Sequence, residues 1–160
     1  MMAVLRPITR ADQDHLEEFL YQAIFVPEGM PLPDRSIIHH PELWGFIEDF
    51  GADQHDLGLI AEVDGQPVGA VWTRIRDLYG YRDNTTPVLA IALLPGYRRQ
   101  GIGTQLMQAM LRVLTDAGYR QTSLHVDKAN YAVKLYCAMG YHVVEEDEHA
   151  LTMVRTLSHS

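Results

Sequence analysis

The chain has 160 residues, 47% of them apolar, with 21 acidic against 13 basic side chains and a formal net charge of −8. That length suits one domain with a core of its own, and the acidic balance argues against general nucleic-acid binding. No apolar run approaches a membrane span, MMAVLRPITRAD lacks the layout of a signal peptide, and the lone Cys137 excludes an internal disulfide and fits a reducing cytoplasm.

In chain order, Val4–Ile8 reads as a first strand. Thr9 and Asp12 form a capping-box-like start to a helix carrying Leu16, Phe19, Leu20 and Ala23. A Pro- and Gly-rich loop follows, and Pro41–Phe50 is predicted as a second helix with Leu43, Phe46 and Ile47 on one side. Leu57–Val63 and Gln66–Ile75 flank an Asp64-Gly65 turn and read as a hairpin. Val88–Leu94, a short apolar run between Pro87 and Pro95, reads as a strand covered on both faces. From Ile102 a helix is predicted with Leu106, Ala109, Met110, Val113 and Ala117 inward, stopping at Gly118. Gln121–Asp127 is a strand, Asn130–Met139 a short helix ending at Gly140, and Tyr141–Glu146 with His149–Leu157 a closing hairpin. The order β-αα-βββ-α-β-α-ββ gives an α/β (α+β) fold with one mostly antiparallel mixed sheet of seven strands flanked by four helices.

Between the central strand and the helix after it lies GYRRQGIGTQL (Gly96–Leu106), where two arginines precede Gly-Ile-Gly. A helix mouth presents unpaired N–H groups and the positive end of a dipole, and glycines let an anion approach them. Neither a Walker A lysine nor the third glycine of a dinucleotide fingerprint is present. The histidines, His39-His40 included, lack metal-ligand spacing, so no metal is expected.

Two stretches resemble motifs of the GNAT superfamily of N-acetyltransferases, which use acetyl-CoA. RRQGIG (Arg98–Gly103) matches the signature Arg/Gln-x-x-Gly-x-Gly/Ala, and LHVDKANYAVKLYCAMGYHVV (Leu124–Val144) is similar to the second half of the cofactor site. The element order agrees from residue 4 to 157, taken as a single N-acetyltransferase domain. Val26–Gly29, Pro41–Leu43 and Gly69–Trp72 resemble a bacterial subgroup.

The resemblance implies acetyl transfer to a primary amine by direct attack in a ternary complex. A non-catalytic acyl-CoA-binding sensor or regulatory module is the alternative. It places the CoA pyrophosphate on the N–H groups of Arg99, Gln100, Gly101, Ile102, Gly103 and Thr104, with Arg98 at the rim. It also implies that the fourth and fifth strands splay, so that pantetheine bonds near Ile91 and Leu93 and the Leu93 N–H polarises the thioester carbonyl. Asn130 would bond the pantetheine arm, although its place before a helix equally suits a cap.

Tyr136 maps to the general acid, a neutral phenol at pH 7, although its helix face also suits a core residue. Cys137 is expected to be a passive buried thiol. Relatives often carry a Glu near the start of the fourth strand, where this chain has Thr86, Pro87 and Val88. The general base is therefore open among Glu62, His125, Asp127 and Glu28, a water chain, or an acceptor of low pKa. The expected partners are a small-molecule or peptide amine and, in a homodimer, a second copy of the chain, with no nucleic acid and no membrane. Glu28, Asp34, Glu42, Glu48, Asp49, Asp53 and Asp56 stand against Arg35 alone in Val26–Asp56, which suggests an acidic rim favouring a small cationic acceptor.

Overall fold

In the computed structural model, which describes residues 2–157, seven strands form one sheet in the order β1-β2-β3-β4-β5-β7-β6. They are β1 (Val4–Pro7), β2 (Leu57–Val63), β3 (Gln66–Arg74), β4 (Val88–Leu93), β5 (Gln121–Asp127), β6 (His142–Glu146) and β7 (Ala150–Thr156). Every pairing is antiparallel except β4 with β5. The hairpin turn falls at Asp64-Gly65, as predicted. Among the described residues, no helix is long and apolar enough to cross a membrane.

Four α-helices flank the sheet: α1 (Gln13–Ala23), α2 (Pro41–Trp44), α3 (Ile102–Asp116) and α4 (Ala132–Ala138). Helices α3 and α4 cover one face, where Leu106, Met107, Met110 and Tyr136 pack with Leu89, Leu124 and Met153. On the other face α1 and the segment around α2 lay Leu16, Phe19, Leu20 and Ile47 against Ile60, Ala70 and Trp72. Strand β4 is thus covered on both sides, which its unbroken apolar run requires.

Three expectations shift. The inward face of α3 is centred on Leu106, Met107, Met110, Leu111 and Leu114, while Ala109 and Val113 sit at its margin and Ala117 is exposed. Arg10–Asp12 forms a 3₁₀ turn before α1 begins at Gln13. The second helix stops at Trp44 instead of reaching Phe50. Its continuation is unravelled by two side chains of β3. The Trp72 indole donates to the Phe46 carbonyl at 3.0 Å, and Arg74 Nη1 donates to the Gly45 and Glu48 carbonyls, each at 2.9 Å.

Candidate functional site

Strands β4 and β5 share a single register pair, Val88 with Ser123. That corner is pinned three ways: the Ser123 N–H and the Thr122 hydroxyl donate to the Pro87 carbonyl at 3.0 and 2.9 Å, and Gln121 Nε2 donates to Thr86 Oγ1 at 2.9 Å. Beyond it the strands part. The Leu94 N–H donates to the Val68 carbonyl of the neighbouring strand β3 at 2.8 Å. Peptide groups alternate along a strand, so those of Ile91 and Leu93 turn the other way, into the gap. Gly69 of β3 pairs with Leu93 of β4, and any Cβ there would collide with the Leu93 side chain. The missing side chain therefore sets where Leu93 lies.

The gap opens into a cleft of about 1120 Å³. One end is the loop before α3. Arg99 (φ 60°) and Gly101 (φ 88°) both take left-handed backbone conformations, which fold the loop back over the helix start. Among the described residues, no protein acceptor takes the N–H groups of Arg99 to Thr104, while the Gln105 N–H closes the first helical bond to Gly101. Six adjacent free donors at the mouth of a 15-residue helix suit an anion. A Cβ on Gly103 would sit 3.6 Å from Leu93 and 3.7 Å from Leu135, directly on the cleft wall.

Arg98, Arg99 and Lys134 add positive charge to this end. Arg98 is also a tie: its Nε donates to the Leu93 carbonyl at 3.1 Å, and Nη2 reaches Gln22 Oε1 of α1 at 3.1 Å. The Arg99 guanidinium lies 4.4 Å from the centre of the Tyr131 ring. Asn130 Oδ1 accepts from the Ala132 N–H at 2.9 Å, so from the position before the Tyr131 cap it satisfies the first N–H of α4 while lining the cleft. Gln100 instead donates to the Gly96 carbonyl at 2.7 Å, and the Ile102 side chain is fully buried in the core, so neither side chain lines the cleft.

Tyr136 is 9% exposed and borders the cleft from α4. Desolvation pushes its pKa up to about 12, which keeps the hydroxyl protonated at neutral pH. Cys137 corrects an expectation: helical phase turns it outward, and its thiol is exposed.

Comparison with known proteins decides the family. The sequence profile of the Acetyltransferase (GNAT) family matches residues 17–141. This chain belongs to that family. An uncharacterised N-acetyltransferase of Archaeoglobus fulgidus is 26% identical over 136 residues, covering 82% of this chain and 88% of that protein. The N-alpha-acetyltransferase of Sulfurisphaera tokodaii is 33% identical over 101 residues, or 57% of this chain and 59% of that protein. The crystal structure of the PaiA N-acetyltransferase from Thermoplasma acidophilum, in complex with coenzyme A, is similar in fold, with a TM-score of 0.72 at 19% identity. That match covers 98% of this chain and 99% of the other.

The chain is thus an acetyl-CoA-dependent acyltransferase, and the free donors, the strand gap and the glycine-floored wall fit that cosubstrate. Of the four candidate bases in this acetyltransferase, Glu62 lies outside the cleft, bonded to Arg6 at 3.1 Å. His125, Asp127 and Glu28 line it. Asp127 Oδ1 is engaged by the Ala129 N–H at 2.8 Å. His125 stacks on Tyr79 with ring centres 5.0 Å apart. Partial desolvation lowers the His125 pKa against the opposing pull of Asp147 and Asp127, so the imidazole is neutral at pH 7.

The acidic segment also changes meaning. Glu48 pairs with Arg76, Asp49 with Arg10 and Asp56 with Arg74. Glu42 accepts from the Tyr79 hydroxyl, and Asp34 and Asp53 accept from backbone N–H groups at 2.9 and 2.8 Å. Their partners come largely from other segments, which no local reading of charge reveals. Sequence reasoning also missed Tyr21, Phe25, Leu43, Phe46 and Tyr79 as cleft residues. They sit at turns or on amphipathic helix faces, where an aromatic in a cleft looks like any core aromatic.

Proposed function

We propose that the acetyltransferase moves the acetyl group of acetyl-CoA to a primary amine by direct attack while both are bound. One observation carries this reading: a single cleft, following the unpaired edge of β4, joins the free donors of the glycine loop to a neutral imidazole on the opposite face of the sheet. Bound acetyl-CoA supplies the acyl thioester.

In this reading the N–H groups of Arg99–Thr104 hold the pyrophosphate, with Arg98 and Lys134 neutralising charge at the mouth. Asn130 and the peptide groups of Ile91 and Leu93 hold the pantetheine arm. The Leu93 N–H donates where negative charge develops on the carbonyl oxygen. His125 takes the proton that the attacking amine must lose, and Tyr136 gives its hydroxyl proton to the departing sulfur.

The test is amine-dependent release of CoA, followed across pH. Wild type should turn over, with the acid limb of its profile below pH 6.5, because a His held below its ordinary value stays neutral further into acid. His125→Gln should lose on the order of 10²-fold or more in kcat while CoA affinity is kept. Acetyl-CoA binding with no turnover on any amine would make the chain a binding module instead. A persistent acid limb in His125→Gln would move the base to Glu28 or Asp127.

A further inference from the structure

We infer that the acceptor is a primary amine carried close to a large apolar or aromatic group, with no second positive charge inside the cleft. This rests on the preceding reading, in which the amine enters from the face covered by α1 and α2. On that side the cleft is walled by Tyr21, Phe25, Leu43 and Phe46, and its rim carries Met30 and Leu32. Ala90 and Ala92 of β4 reach the cleft beneath them and pack with that face, leaving a shallow apolar floor. The stacked rings of Tyr79 and His125 close the far side, and the hydrogen bond from Tyr79 to Glu42 fixes that pair.

Met30 and Leu32 are 60% and 74% exposed. Large apolar side chains left in water beside an apolar cleft gain free energy when a ligand covers them. Charge points the same way. Arg35, the cation on this side, is bonded to Glu18 at 2.8 Å and lies 4.5 Å from the Tyr21 ring centre. Among the described residues, Glu28 is the single carboxylate of the Val26–Asp56 segment with no hydrogen-bond or ion-pair partner. A polyamine would bring two or more ammonium groups past one free carboxylate, and an unpaired ammonium in an apolar cleft is costly. An acidic amine would meet Glu28 with like charge. One amine on an apolar body satisfies both the walls and Glu28, while Asp127, the other carboxylate of the cleft lining, is engaged by the Ala129 N–H.

A free aralkylamine and the first residue of a peptide share this chemistry. The experiment therefore compares kcat/KM for phenethylamine, leucinamide, a tripeptide beginning with Leu, glycinamide and spermidine, at low and high ionic strength. It also measures binding of the same amines to the protein saturated with CoA by calorimetry. Phenethylamine and leucinamide should exceed glycinamide and spermidine by about tenfold or more, with little dependence on salt, since burying a few methylenes is worth that range. A Met30→Ser, Leu32→Ser variant should narrow the gap while CoA affinity is unchanged. Strong activity on the tripeptide would assign a peptide source, and activity confined to the small amines a metabolite source; both support the inference. Turnover led by spermidine or glycinamide overturns the apolar acceptor and leaves the acetyltransferase mechanism standing. No acetylation and no calorimetric binding of any amine overturns both.

Discussion

At the scale of single residues, Tyr136 and Asp12 are set by opposite causes: burial raises the first, while hydrogen bonds outweigh burial and lower the second. Tyr136 keeps its proton because the folded protein desolvates the phenol. Tyr136→Phe retains the packing against Tyr141 and removes the donor. We expect kcat to fall ~10²–10⁴-fold with CoA affinity nearly unchanged, as measured by steady-state kinetics and calorimetry. Asp12 is held at about 2, chiefly by its hydrogen bonds to Arg6 at 2.8 and 2.9 Å, with a further bond from the Thr9 N–H. A carboxylate depressed on folding stabilises the protein fully above its unfolded pKa, and that stabilisation is lost as pH falls towards the folded value. From the ordinary 3.8 down to about 2, wild type should lose roughly 2 kcal/mol that Asp12→Asn never had, so their urea midpoints should converge near pH 2.

At the scale of elements, the turn after α2 depends on one buried pair. Arg74 and Asp56 have side chains 2% and 1% exposed and meet through two bonds of 3.1 and 2.8 Å, while Arg74 also holds the Gly45 and Glu48 carbonyls. Asp56→Ala would leave that guanidinium buried without a counter-charge, at a cost of about 3–5 kcal/mol in urea unfolding. Because Phe46 rides on this turn and Leu43 on the helix just before it, the same variant should also raise KM for the acceptor more than for acetyl-CoA. The loop before α3 makes the complementary case. Gly103→Val adds bulk where its Cβ touches only Leu93 and Leu135 at ordinary contact distance, so the fold should persist while calorimetry reads weaker CoA binding. These two elements mark what was legible. RRQGIG sits between a strand and a helix and announces itself by local spacing. The turn at residues 45–50 reads as helix because its apolar residues keep helical spacing, and the side chains that undo it come from β3, 26 to 29 residues away. For the same reason the free donors at the loop were readable, whereas the partners of the acidic residues and the aromatic wall were not.

At the scale of the whole molecule, the strands and the β2–β3 and β6–β7 hairpins are visible as alternating or continuous apolar runs, whereas the insertion of β7 between β5 and β6 is not. What no run of residues announces is how weakly the two parts of the sheet are stitched. Strands β1 to β4 form one ladder and β5, β7 and β6 another, joined at Val88 and Ser123 and otherwise chiefly through the helices packed on the α3–α4 face. That seam makes a distinct demand on deuterium uptake. In a central strand, amide protons ordinarily exchange only through global opening. The Ile91 and Leu93 amides have no ladder partner on the β5 side, so in the free protein they should exchange far faster than Ala90 and Ala92 beside them, whose amides point toward β3. Adding CoA should slow the first pair selectively and leave the second unchanged. Equal protection of all four amides without CoA would mean that the seam is closed in solution, and that the cleft is made by the ligand rather than offered to it.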